Sequence, residues 1–117
     1  MPLTLTERTV GDVVVVDLAG KVTLGDGDAM LKDKVRSLVQ QGHRKIVLNL
    51  AQVSYIDSAG LGELVQAYAA VNKNGGRLKL LNTTKRITDL LSITKLLTVF
   101  ETYDSEAEAV TSFSLGV

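Results

Sequence analysis

The hydroxyl of Ser58, preceded by Asp57 and followed by Ala59 and Gly60, is the group in this sequence best placed to react or to be modified. Nucleophilic serine chemistry needs a base within reach and an oxyanion hole. A carboxylate adjacent in sequence is not positioned like a triad base, and Ile56-Asp57-Ser58-Ala59-Gly60 does not satisfy G-x-S-x-G. Hydrolase chemistry is therefore not expected. The simplest role for serine or aspartate at this point is a helix N-cap, which accepts hydrogen bonds from unpaired backbone N–H groups. Asp57 can serve as that cap, which leaves Ser58 free. The small Ala59 and Gly60 keep its hydroxyl open to a partner's active site.

Other candidates carry less. The single histidine, His43, cannot build a multi-histidine metal site and reads as a solvated turn residue. Asp26 and Asp28 resemble the start of a calcium loop, but Ala29-Met30-Leu31 follows in place of further oxygen ligands. Ser92-Ile93-Thr94-Lys95 matches S-x-x-K without its companion motifs. There is no G-x-x-x-x-G-K-[ST] phosphate loop. The sequon Asn82-Thr83-Thr84 is idle without secretion. No metal, cofactor or catalytic residue is expected in this chain.

Composition narrows the classes further. Thirteen basic and thirteen acidic residues cancel, so no basic excess is available for nucleic acid. No cysteine is present, which removes disulfides and thiolate chemistry and fits a reducing compartment. Apolar runs such as Val13 to Val16 are too short to span a bilayer, and the start lacks the pattern of a signal peptide. A cytoplasmic protein without membrane insertion is expected. Its 117 residues, 45% hydrophobic, suit one domain over 1–117 with a core of its own.

The elements that must position Ser58 follow from periodicity. Leu3 to Thr9 and Val13 to Leu18 flank Gly11-Asp12 and read as a hairpin that ends at Gly20. Leu24-Gly25-Asp26-Gly27-Asp28 reads as a loop. From Ala29, the spacing of Leu31, Val35, Leu38 and Val39 predicts a helix that stops at Gly42. Lys45 to Leu50 reads as a central strand, apolar on both faces. After Ser58, an apolar stripe formed by Leu61, Leu64, Val65, Tyr68 and Ala69 predicts a second helix, closed by Gly75-Gly76. A strand over Arg77 to Leu81, a helix around Ile87, Leu90 and Leu91, and a short strand in Leu96 to Phe100 come next. Ser105 and Glu108 form a capping-box pattern before a last helix with Ala109, Val110 and Phe113 inward. The expected fold is α/β: a small mixed sheet of four to five strands with about four helices.

Tyr55-Ile56-Asp57-Ser58-Ala59-Gly60-Leu61-Gly62 resembles the signature of STAS domains, the family named for sulfate transporters and anti-sigma-factor antagonists. The likeness extends to Ile46 to Leu50 before the signature and Asn74 to Leu80 after it. In free-standing bacterial members, an anti-sigma factor with serine kinase activity phosphorylates the serine after the aspartate, which is Ser58 here. The unmodified antagonist binds that anti-sigma factor and frees the sigma factor; the phosphorylated form lets go, and a serine phosphatase resets it. ATP then belongs to the kinase partner. The resemblance implies a partner-binding surface of Asp57, Ser58, Ala59, Gly60, Leu61 and Gly62, with the loop that carries Thr23 beside it. Many antagonists have acids in that loop, where this chain has Lys21 and Thr23; Asp26 and Asp28 are candidates to supply the charge. The alternative implied by the family is an unphosphorylated structural subunit of a transport or scaffold assembly.

Overall fold

The computed structural model describes residues 2–115. Strands β1 (Thr4–Val10) and β2 (Val13–Val22) form the antiparallel hairpin around Gly11-Asp12, with Gly11 at φ +63° in the turn. Strands β3 (Lys45–Ile56), β4 (Arg77–Leu81) and β5 (Thr102–Tyr103) run parallel to β2, and the spatial order equals the chain order. Helices α1 (Asp26–Gln40), α2 (Ser58–Lys73) and α3 (Lys85–Ile93) make the three crossovers between parallel strands, and α4 (Glu106–Ser112) follows β5. This is the expected mixed sheet with four helices; a single 3₁₀ turn, Phe113–Leu115, extends α4.

The continuous apolar character of β2 and β3 has a direct cause, because both faces of the sheet are covered. On one face Val14, Val16, Leu18, Ile46, Leu48 and Leu80 pack against Leu31 and Val35 of α1, Leu61 and Leu64 of α2, and Ile87 and Leu91 of α3. On the other face Val13, Val15, Val47 and Leu81 meet Ala109 of α4 and Phe113. The Ser105 hydroxyl caps α4, accepting from the Glu108 N–H at 3.3 Å as the capping pattern predicts.

Four boundaries differ from the sequence reading, the first being that β3 runs on past Leu50 to Ile56. Strand β2 does not stop at Gly20 but continues to Val22, because Lys21 and Val22 pair with Tyr55 and Ile56 at the end of β3. Register shifts on either side of Gly20, whose φ is +111°, absorb the irregularity that the glycine suggested was an end. Asp26-Gly27-Asp28 is not loop but the first turn of α1, where both carboxylates face the positive end of the helix dipole. The short strand lies at Thr102–Tyr103; Leu96 to Phe100 form a turn that seats Phe100 in the core. Short apolar runs are ambiguous between strand and packed turn, and here core burial without pairing prevailed.

Candidate functional site

The carboxyl ends of β2, β3 and β4 lie along one edge of the molecule, and α1, α2 and α3 begin there. In open parallel sheets this edge is where ligands and partners are met. Ser58 is the first residue of α2 and is exposed. The N-cap is Asp57, in extended conformation, whose Oδ1 accepts from the Gly60 N–H at 2.9 Å. Its Oδ2 accepts from the Leu24 N–H at 3.0 Å, and its own N–H donates to the Val22 carbonyl at 3.3 Å. One carboxylate thus caps α2 and ties down the loop between β2 and α1. The Leu24 and Gly60 N–H groups hold this carboxyl below the usual carboxylate range, because both donate to its charged form.

The residues singled out by sequence fall into two sets. Ser58, Gly62 and Asp26 are exposed, and Thr23, Asp28, Asp57 and Ala59 are half-buried at the same edge. Gly60 and Leu61 are buried: Leu61 enters the core, and Gly60 packs on β2. These two hold the start of α2 against the sheet and expose little at that edge. The Thr23 carbonyl accepts from the Asp28 N–H at 3.0 Å, and Asp28 Oδ1 accepts from the Ala29 N–H at 2.8 Å, so α1 starts tightly against the loop. Gly62 faces open space, so its lack of a side chain relieves no contact within the chain.

Three residues that the sequence reading did not single out lie at the same edge. Leu24 is 77% exposed in the loop tied by Asp57. Tyr55 is 40% exposed near the end of β3, and the guanidinium carbon of Arg86 lies 4.3 Å from the centre of its ring. Arg86 Nη2 also donates to the Ile56 carbonyl at 3.4 Å. An apolar residue between Thr23 and Gly25 was a readable sign of a presented side chain. Nothing local linked Arg86 to Tyr55; only the β3–β4 pairing brings the start of α3 beside the start of α2. Among the described residues there is no group of three or more acidic or histidine side chains that could hold a metal ion. Nor is any helix among them long and apolar enough to cross a membrane.

Residues 5–109 match the family model of the STAS domain. The chain belongs to the STAS domain family. An anti-sigma-B factor antagonist from Bacillus subtilis is 37% identical over 83 residues, covering 71% of this STAS chain and 74% of that protein. The crystal structure of a candidate anti-sigma factor antagonist from Thermotoga maritima superposes with a TM-score of 0.85 at 27% identity, covering 92% of each chain. The phosphorylated form of the Bacillus cell fate determinant SpoIIAA shares the fold, with a TM-score of 0.75 at 21% identity over 94% of this chain and 99% of that one.

Proposed function

We propose that this STAS domain is an anti-sigma factor antagonist that works by partner switching, with Ser58 as the phosphoacceptor. Unmodified, it binds an anti-sigma factor that is also a serine kinase, and so releases the sigma factor; phosphorylated, it lets go until a serine phosphatase restores it. The chain acts in the cytoplasm as a binding module, and the kinase partner supplies ATP and catalysis. The observation that carries this reading is the division of labour between neighbours: Asp57 caps α2, so the exposed Ser58 hydroxyl can be modified without loss of the cap. The relatives named as antagonists supply the partner class.

A phosphoserine brings about −1.5 to −2 charges and three acceptor oxygens. At the first turn of α2 it meets the positive end of the helix dipole, worth about 0.3–1 kcal/mol, so the domain stays folded. At a docked surface the same dianion must lose water without a prepared cation in the partner. A penalty of about 3 kcal/mol weakens binding more than a hundredfold.

The test has two arms. Intact mass of the protein from its native cells, in growth and under stress, should show one phosphate that varies with condition and is absent from Ser58→Ala. In binding assays Ser58→Ala should hold the anti-sigma factor and Ser58→Asp should release it. Equal binding by both variants, with no phosphorylated form under any condition, would leave the scaffold-subunit role.

A further inference from the structure

The first turn of α3 places a cation against the end of β3, on the carbonyl of Ile56 two residues before the proposed phosphoacceptor. Arg86 lies with its guanidinium over the Tyr55 ring and one nitrogen 3.4 Å from the Ile56 carbonyl. Ile56 and Ser58 are two residues apart, so their α-carbons are separated by no more than about 7.6 Å. Both contacts that hold Arg86 are weak. The hydrogen bond is longer than the usual 2.9–3.0 Å, and Tyr55 is 40% exposed, which admits competing water. Among the described residues no salt bridge involves Arg86, whereas its neighbour Lys85 is paired with Asp89 at 3.0 Å. The nearest carboxylate in sequence to Ser58, that of Asp57, already accepts from Leu24 and Gly60.

We propose that Arg86 is the intramolecular receptor for a phosphoryl group on Ser58, leaving the Tyr55 ring to bind the phosphate oxygens in a charge-assisted, bidentate pair. This rests on the reading of Ser58 as the phosphoacceptor. The geometry favours it because a phosphate offers three acceptor oxygens and a dianion, whereas Ile56 offers one distant carbonyl. Planar guanidinium groups pair with phosphate more strongly than with neutral oxygen. The consequence for recognition is specific. In the unmodified chain a partner meets a positive charge stacked on an aromatic ring; after phosphorylation that charge is neutralised and the ring is uncovered. The modification therefore alters two recognition elements, Ser58 itself and the Arg86–Tyr55 pair.

The test uses full-length protein carrying phosphoserine installed at position 58 during translation, so no kinase or cellular condition enters it. ³¹P NMR titration should give a second phosphate pKa about 0.5–1 unit lower in the native chain than in Arg86→Gln, because a nearby cation favours the dianion. Arg86→Lys should fall between the two, having the charge without the fork. In the native chain alone, the Arg86 side-chain N–H resonances and the Tyr55 ring protons should both move when the phosphate is present. This second readout needs no variant and decides the matter should Arg86→Gln fold poorly. Equal phosphate pKa values, or Arg86 and Tyr55 resonances that stay in place, overturn the proposal. Failure to find phosphorylated protein in cells would remove the proposed regulation while leaving these measurements unaffected.

Discussion

Gly60 packs directly on the carbonyl of Val22: a β-carbon built at position 60 would stand 2.0 Å from that oxygen and 2.8 Å from Ile56 Cγ1. The start of α2 is thereby pressed against the end of β2, at the level where Asp57 ties down the following loop. Two residues along the same helix, Gly62 has nothing within 4 Å of the equivalent point. Gly60→Ala must therefore push α2 away from β2 and should destabilise the chain by about 1–3 kcal/mol or more. Gly62→Ala should stabilise it by about 0.4–1 kcal/mol, since it gains helix propensity without a clash. Urea unfolding of both variants checks the pair of signs. A Gly60→Ala variant as stable as the native chain would show that the α2–β2 contact is slack.

How much of this was legible beforehand depended on range. The hairpin around Gly11 and the Ser105 cap are local patterns, and the structure contains both. Of the predicted stripe, Leu61 and Leu64 are buried and Val65 and Tyr68 pack on the core, but Ala69 is exposed and Ala67 and Val71 are buried instead. The division between Asp57 as cap and Ser58 as exposed hydroxyl was also readable, because capping chemistry is local. The start of α1 was not. Glycine and aspartate favour loops in isolation, yet Gly27 is needed where α1 crosses the Lys21 carbonyl, which a β-carbon would approach to 2.6 Å. The Arg86–Tyr55 pair was equally hidden, since strand order alone brings those residues together.

Leu24 offers a clean separation of binding from stability. Its side chain is 77% exposed, so its removal costs the fold little; surface substitutions usually change stability by less than about 0.5 kcal/mol. If the edge around Ser58 is the partner surface, Leu24→Ala should weaken binding to the anti-sigma factor about tenfold, the loss of one apolar anchor of about 1–2 kcal/mol. Ile93, equally exposed near the far end of α3, is the control, and Ile93→Ala should bind normally. Calorimetric titration of both variants checks this, and equal affinities would move the docking surface elsewhere.

Arg8 joins β1, β2 and α4. Its Nε is 2.6 Å from Asp17 Oδ2, and its Nη1 donates to Glu106 Oε2 at 3.0 Å. Hydrogen bonds from Arg8 hold both carboxyls below their ordinary values of 3.8 and 4.5. Carboxyls with lowered folded pKa values stabilise fully above the ordinary range, and that stability is lost as pH falls through the folded values. The urea midpoint should be flat from about pH 7 to 5 and fall below about pH 4. Arg8→Gln should cost about 1 kcal/mol at neutral pH, because all three side chains are partly solvated, and should flatten the acid fall. Some slope should remain from Asp57 and Asp12, whose carboxyls are also lowered. An Arg8→Gln chain with an unchanged acid profile would remove the network from the account.

Lys79 lies between Leu78 and Leu80 on β4, where alternation alone would mark a solvent-facing position. Instead α4 and Phe113 cover it, and it is fully buried. Its Nζ donates to Ser112 Oγ at 2.6 Å, lies 3.4 Å from Glu101 Oε2 and stands 4.3 Å from the centre of the Phe113 ring. Desolvating an ammonium offsets much of what these contacts contribute. Lys79→Met keeps the length and the aromatic contact. Neither of these two partners is left stranded, since Glu101 is partly solvated and the Ser112 hydroxyl still donates to the Ala109 carbonyl at 2.7 Å. The expected outcome is stability equal to or above that of the native chain, with Lys79→Ala about 2 kcal/mol or more below Lys79→Met because it opens a void beneath α4. Urea midpoints of the two variants separate charge from volume. A loss of about 3 kcal/mol in Lys79→Met would instead make the ammonium itself the fastener of α4.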